Sequence, residues 1–367
     1  MNVLDKFSGY ISFLKRVSAE HGIPPLRQIS EIIHLSRGAG RIGPSDYYAY
    51  RLFDDSISLK EKETFVGWRA EARLDSLNEP SWHCLGLDKV LMYGLFRSNG
   101  IRHPETRAIY LPGRGRPLTG ASSLKTSEEL CSWLRAGANY PFFSKPSASG
   151  FGRCAFFADR YDPGQDRLVF KGGGSAKVED FENLFGDVER LGYLFQTPIR
   201  PDSRLVGNLG PIVSSLRMMV LIDEVEGPLL HRCFWKLPTG ANTHDNYDGG
   251  RTGNLAAAID HQTGSINRAI TGFGLDVVEV THHPDSGVLL STVSVPDWDK
   301  VIDFTFRAAL TLPKLRFQQW DISLSDAGPM ALEVNLFGTA GGTASQLLYG
   351  RGLLDETMKS FLARHGL

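Results

Sequence analysis

The segment FQQWDISLSDAGPMALEVN, residues 317–335, constrains the fold of this chain more than any other. Two runs of strand-forming residues flank SDAGP, a cluster of turn formers, and this pattern marks an antiparallel hairpin. A turn centred on Ala327 sets Asp321 directly across from Glu333. Successive strand residues point to opposite faces. Asp321 and Ser323 therefore share a face with Glu333 and Asn335, while Ile322, Leu324, Leu332 and Val334 take the other, toward a core. Carboxylates directly opposite one another on a sheet repel, so something must offset them. A divalent cation does so, and oxygen donors from two carboxylates and an amide suit Mg²⁺. The alternative is a polar solvent face with a neighbouring lysine. The glycine-rich FGTAGG just after Asn335 favours the metal.

Four further segments carry chemistry. In PFFSKPSASGFGR, residues 141–153, an apolar strand delivers Lys145 to a loop of small residues. Ser147, Ala148, Ser149 and Gly150 let backbone N–H groups approach an anion. The lysine precedes its loop, so this is not the P-loop pattern, and a plain hairpin with a surface lysine is the alternative. In LFQTPIRPD, residues 194–202, an apolar strand carries a lone Gln196 and exits through Thr197, Ile199 and Asp202. Such a segment offers backbone groups to an adenine edge, or is an ordinary buried strand. In VSSLRMMVLI, residues 213–222, Arg217 interrupts an apolar strand. A buried guanidinium needs an anion, which is a phosphate, a substrate carboxylate or an internal acid. The turn-rich KLPTGANTHDNYDGGRTGN, residues 236–254, reads as a loop over a site, with Lys236, Asn246 and Arg251 as its candidates. Arg251 either grips a carboxylate through two hydrogen bonds or pairs with Asp248 in a solvated turn. His244, His282 and His283 have no metal-ligand spacing and read as ordinary polar positions.

Composition excludes several classes. Lys+Arg is 40 and Asp+Glu is 41 in 367 residues, for a net charge of −1. There is no global basic field for nucleic acid or anionic lipid. Cys84, Cys131, Cys154 and Cys233 are too dispersed for a zinc or redox pair. The opening MNVLDKFSGYISFLKR has no apolar core of a signal peptide, and no apolar run approaches the ~20 residues that span a bilayer. These features lead to an expected cytoplasmic location. Apolar spacing predicts a helical segment over residues 1–80, including a helix at DYYAYRLF. An α/β unit follows over 81–140, a compact unit over 141–200, and a C-terminal domain over 201–367.

In this order and spacing the pieces resemble the ATP-grasp superfamily over residues 85–345. LDKVLMYGLFRSNGIRHPET looks like its opening motif, with Lys89 as a first phosphate-binding lysine and Lys145 as the second. FQTPI resembles the adenine hinge, SSLRMMV the strand whose arginine meets the γ-phosphate, and DIS…LEVN the metal hairpin. The helical start ending in DYYAYRLF, the stretch DNYDGG, the HPDSG strand and the VPDW helix start are most similar to the sugar-transfer-associated branch. Three positions depart from it: Lys236-Leu237-Pro238 for an RLG-like stretch, Gln319 for a glycine, and Ser214-Ser215 for an Asn-Thr-like pair. The resemblance implies a mixed α/β (α+β) ATP-grasp fold with an added N-terminal helical segment. It also implies ATP and Mg²⁺, small-molecule carboxylate and amine substrates, and ligation through an acylphosphate in polysaccharide or secondary-metabolite biosynthesis. Ser147, Ser149, Gly150, Gln196, Thr197, Ile199, Asp202, Lys236 and Asn246 would line the nucleotide. Arg217 and Arg251 would act at the reacting groups. A kinase acting on a small molecule or sugar and a nucleotide-binding regulator are the competing readings, and a homodimer is compatible with all three.

Overall fold

The computed structural model describes residues 3–148, 155–184, 192–272, 274–336 and 342–367. Two seven-stranded sheets dominate it. The first contains β1 (Thr106–Tyr110), β2 (Ser122–Leu124), β3 (Phe142–Pro146), β4 (Phe156–Asp162), β5 (Arg167–Phe170), β6 (Ser175–Lys177) and β7 (Tyr193–Gln196), in the order β2-β1-β7-β3-β4-β5-β6. The second contains β8 (Ser215–Asp223), β9 (Gly227–Leu237), β10 (Leu255–Ile259), β11 (Ile266–Thr271), β12 (Val278–Glu279), β13 (Phe317–Ser325) and β14 (Gly328–Asn335), in the order β12-β11-β10-β9-β8-β13-β14. β7 pairs with β1 on one side and β3 on the other. The boundary expected near residue 140 therefore runs through a sheet. The long-range pairing of β7, remote in sequence from β1, joins the two units.

The hairpin forms with an adjustment. Ser325 pairs with Gly328, so the chain turns at Asp326 and Ala327. Gly328, at φ 92°, completes the turn in a region that glycine occupies without strain. That turn alone would misalign Asp321 by one residue. The register shifts between Asp321 and Ile322, where Ile322 pairs with Ala331 and Asp321 with Glu333. Leu332 is the extra residue of this bulge. The pairing of Asp321 with Glu333 is as expected, but Leu332 is not on the core face. Ala331 and Val334 are buried there instead, and Leu332 is partly exposed.

Both faces of the second sheet are covered. Met218, Val220, Trp320, Ile322 and Leu324 pack with Phe96 of the helix Lys89–Ser98 and Phe304 of the helix Trp298–Leu310. Met219, Leu221 and Phe317 face the C-terminal helices Gly342–Tyr349 and Glu356–Arg364 through Leu347, Leu348 and Phe361. The N-terminal segment is helical at Val3–His21, Pro25–Arg37 and Pro44–Ala49. The helix expected over DYYAYRLF stops at Ala49, because Arg51 turns to φ 57°. This segment docks on the C-terminal helices. The buried Gln346 accepts from Val66 and Leu353 N–H at 2.7 and 3.1 Å and donates to the Val66 carbonyl at 3.1 Å. Gly352 lies so close to Thr64 that a Cβ there would be 2.0 Å from backbone.

Asn78 pins the base of the hairpin. Its Nδ2 donates to the Phe317 and Leu336 carbonyls at 2.8 and 3.1 Å, and its Oδ1 accepts from Phe317 N–H at 2.9 Å. The residue is buried, so Asn78→Ala strands three backbone groups out of reach of water. Urea denaturation should show a loss of about 2–4 kcal/mol. A loss below about 0.5 kcal/mol would mean that these bonds contribute little net stability.

Candidate functional site

The register of the second sheet places Arg217 of β8, Asp321 of β13 and Glu333 of β14 side by side in one rank. Lys236 of β9 stands in the next rank, opposite Ser215. The face they share is apolar at one end, through Met219, Leu221 and Phe317, and charged at the other. Arg217 forks onto Asp321, with Nε on Oδ1 and Nη2 on Oδ2 at 3.0 Å. Lys236 Nζ lies 3.1 Å from the same Oδ2. Lys89 Nζ lies 3.7 Å from Glu333 Oε2, and Asn335 Nδ2 donates to Glu333 Oε1 at 3.5 Å. The repulsion between the two carboxylates is thus offset by cations of the chain itself. For Arg217, the internal acid is the anion that the structure supplies.

Glu333, Asn335 and Asp321 nevertheless fit a hard cation. They are oxygen donors on one face, and an ionised carboxylate offers about four lone-pair sites. Glu333 is the more open, with 29% of its side chain exposed against 5% for Asp321. Among the described residues there is no group of three or more His, Cys, Asp or Glu side chains that could hold a metal. Any metal here would lean on the Asn335 amide and on ligand oxygens. Buried His283 contacts the Pro238 carbonyl through Nε2 at 3.2 Å, and His282 contacts Thr281.

The first sheet supplies the other wall. Lys145 on β3 projects to the same side as Gln196 on β7, because Phe143 pairs with Gln196 and Lys145 with Leu194. Lys145 Nζ donates to the Tyr93 hydroxyl at 2.8 Å. Burial lowers the Lys145 ammonium below its usual value, Glu333 and Asp321 oppose that, and Lys236 adds to it. Lys89 opens the helix that Asp88 caps, with Asp88 accepting from Val90 and Leu91 N–H at 2.9 and 3.3 Å. The Lys89 N–H donates to the Ser147 carbonyl at 2.9 Å. Lys89, Lys145, Ser147, Gln196, Arg217, Lys236, Asp321, Glu333 and Asn335 therefore border one cleft.

The remaining candidates divide. Asn246 Oδ1 accepts from Asp248 N–H at 3.3 Å, and the Asn246 carbonyl accepts from Thr252 and Asn254, so Asn246 shapes its loop. Arg251 is exposed and pairs with Asp248 at 3.2 Å, which is the solvated-turn alternative. Thr197 spends its N–H on the Glu105 carbonyl at 2.9 Å and its hydroxyl on Glu105 and Arg107. Asp202 caps the helix Ser203–Leu209 and pairs with Arg204 at 2.7 Å in a different cavity, beside the hairpin turn. Ile199 is partly exposed beyond β7. Ser149 and Gly150 lie outside the described residues.

Two residues of the cleft were not singled out from the sequence. Tyr93 lies four residues after Lys89, a spacing that puts both on one helix face and could have found it. Asp245 accepts from the Ser215 hydroxyl at 2.5 Å. Burial raises its carboxyl, against the pull of Lys236. Its only sequence signal was its place in the loop, next to Asn246.

Residues 74–361 match the family described as sugar-transfer associated ATP-grasp. No curated protein sequence matched the chain. Among solved structures the chain is similar to a biotin carboxylase from Campylobacter jejuni in a βγ-ATP complex, at 10% identity over 76% of this chain and 46% of that one, with a TM-score of 0.42. It is similar to an L-amino acid ligase from Bacillus licheniformis at 11% identity, over 76% and 48%, with a TM-score of 0.39. It is also similar to an N5-carboxyaminoimidazole synthase from Aspergillus clavatus, in complex with ADP and an aminoimidazole ribonucleotide, at 12% identity, over 79% and 58%, with a TM-score of 0.39. The chain spans about half the length of these solved proteins.

The ion pairs give a pH signature. Burial alone would raise the Asp321 carboxyl, but Arg217 and Lys236 outweigh it and hold the group at about 2, against its usual 3.8. The carboxyl is depressed in the folded chain, so its contribution is complete above the usual value and drains away as pH falls toward about 2. Asp321→Asn should remove that acid limb. It should also lower stability at neutral pH by about 3–5 kcal/mol, because two buried cations lose their carboxylate. Urea melts at neutral and acid pH check both, and wild-type stability in the variant would contradict the pairing.

Proposed function

Because the chain belongs to the sugar-transfer associated ATP-grasp family, part of a superfamily of ATP-dependent carboxylate–amine ligases, we propose that it uses ATP to activate a carboxylate as an acylphosphate and joins it to an amine. The observation that carries the reading is the charge set of the cleft. Lys89, Lys145, Arg217 and Lys236 meet Asp245, Asp321 and Glu333 between two sheets. A set of buried cations with a pair of opposed carboxylates suits a polyphosphate bound together with a divalent metal.

In the first step a substrate carboxylate oxygen attacks the γ-phosphorus and ADP leaves. In the second the amine nitrogen attacks the acyl carbon, phosphate leaves, and the amine gives up a proton. The chain's part is placement and charge, as in other phosphoryl transfers. Lys89 and Lys145 donate N–H groups to phosphate oxygens. Arg217 and Lys236 stand beside them to meet the charge that develops on the transferring group. Glu333, Asn335 and Asp321 would hold Mg²⁺, whose contribution is neutralisation of phosphate charge. Gln196 and Ile199 would border the base, and Ser147, with Ser149 and Gly150, the phosphates. Asn246 would hold the 236–254 loop in place over the cleft.

Phosphate release should appear when the chain is screened with Mg-ATP against pairs of carboxylates and amines, and the product should be an amide. Glu333→Gln keeps the shape of the side chain and removes a metal-binding oxyanion. It should lower turnover by at least about 10²-fold with unfolding little changed. Near wild-type turnover in that variant would overturn the assignment. A stable phosphoester in place of an amide would make the enzyme a kinase.

A further inference from the structure

One hydroxyl group touches both walls of the cleft. Tyr93 is fully buried, and its O–H donates to the carbonyl of Leu332 at 2.8 Å. Leu332 is the extra residue of the bulge that restores Asp321 to its place opposite Glu333. The same oxygen accepts from Lys145 Nζ at 2.8 Å. Leu332 belongs to the second sheet and Lys145 to the first, so a single atom spans the two.

We infer that Tyr93 is a positioning residue for the nucleotide: its hydroxyl, itself held by the bulge carbonyl beside Glu333, fixes the direction of Lys145. The inference rests on the nucleotide site proposed above. A phenol has one proton to give and lone pairs to receive with. With its proton committed to Leu332, it can act toward Lys145 only as an acceptor, which suits an ammonium that only donates. Lys145 has a long flexible stem, and an ammonium carries three N–H donors. One is anchored on Tyr93, which leaves the others for a phosphate.

The ring itself is held. It stacks on His103 at 5.3 Å and 15° and meets the edge of Phe96 at 6.1 Å. Phe96 in turn stacks on Trp320 at 5.3 Å, and Trp320 precedes Asp321 in β13. Two routes therefore run from Tyr93 to the carboxylates: one through the bulge carbonyl, the other through aromatic contacts. Val334 N–H approaches Met92 Sδ at 3.4 Å, so the same helix also seats the strand just past Glu333.

A double-mutant cycle with Lys145 tests this. Tyr93→Phe keeps the ring and its stacking and removes only the hydroxyl. Calorimetry on the full chain should show the Kd for Mg-ADP rising about tenfold, as expected for losing a hydrogen bond to a charged group, with the Kd for adenosine unchanged. In the Lys145→Ala background the same change should cost less than about twofold, because the group it positions is gone. Equal losses in both backgrounds, or a loss shared by adenosine, would make Tyr93 a packing residue and overturn the inference while leaving the nucleotide site standing. Wild-type chain that binds Mg-ADP no better than adenosine would overturn the nucleotide site and this inference together.

Discussion

The mutual neutralisation of buried charges in the cleft is the constraint that the rest of the structure serves. Moving an ion from water into a protein interior costs several kcal/mol even after relaxation. Here Arg217, Lys236 and Asp321 are nearly enclosed, with side-chain exposures of 12%, 7% and 5%. They are tolerable only because strand register sets them against one another. Each depends on backbone pairing that the apolar residues of both faces hold in place, so the sheet is covered on two sides for reasons that reach its chemistry. A one-residue slip of β13 would turn Asp321 into the Trp320–Ile322 core and leave Arg217 unpaired.

The edge of that sheet needed protection as well. β14 is its last strand, and an exposed edge presents unpaired backbone groups. Tyr93 and Met92 of the helix Lys89–Ser98 cover it at Leu332 and Val334, and Ala331 N–H donates to the Arg102 carbonyl at 2.9 Å. The same helix begins at Lys89, whose backbone is bonded to Ser147, the residue that follows β3 of the first sheet. Edge protection and closure of the cleft are therefore one arrangement. The N-terminal segment, stitched in through Gln346 and Asn78, backs the opposite face and the base of the hairpin.

Much of this was legible in the sequence, and the exceptions have physical reasons. Asp321 and Glu333 could be placed opposite each other by counting from Ala327. The actual turn lies half a residue earlier, and the bulge at Leu332 compensates, so the right pairing hid a wrong face for Leu332. Lys145 and Arg217 were marked by charge at or within apolar strands, and Lys89 by the resemblance of its segment to the family's opening motif. Their partners could not be read locally: the partner of Arg217 lies 104 positions along the chain, and Tyr93, on a helix, meets Lys145 of β3 from 52 positions away. Arg251 pairs with Asp248, the alternative its turn already offered, and Asp202 pairs with Arg204, two residues further along the chain. That strands from both sides of residue 140 share one sheet depends on pairing at a distance, and composition does not record that.

If the charge cluster exists to read phosphate and metal together, affinity must depend on both. The most direct measurement is calorimetric titration of the chain with ADP in Mg²⁺, with ADP in a chelator, and with adenosine in Mg²⁺. Mg-ADP should bind tightest. Removing the metal should weaken ADP by at least about tenfold, as unscreened phosphates then face Asp321 and Glu333, and adenosine should bind more weakly than Mg-ADP by a larger factor. Equal affinity for Mg-ADP and adenosine would contradict the central claim, because the buried cations would then be reading something other than phosphate.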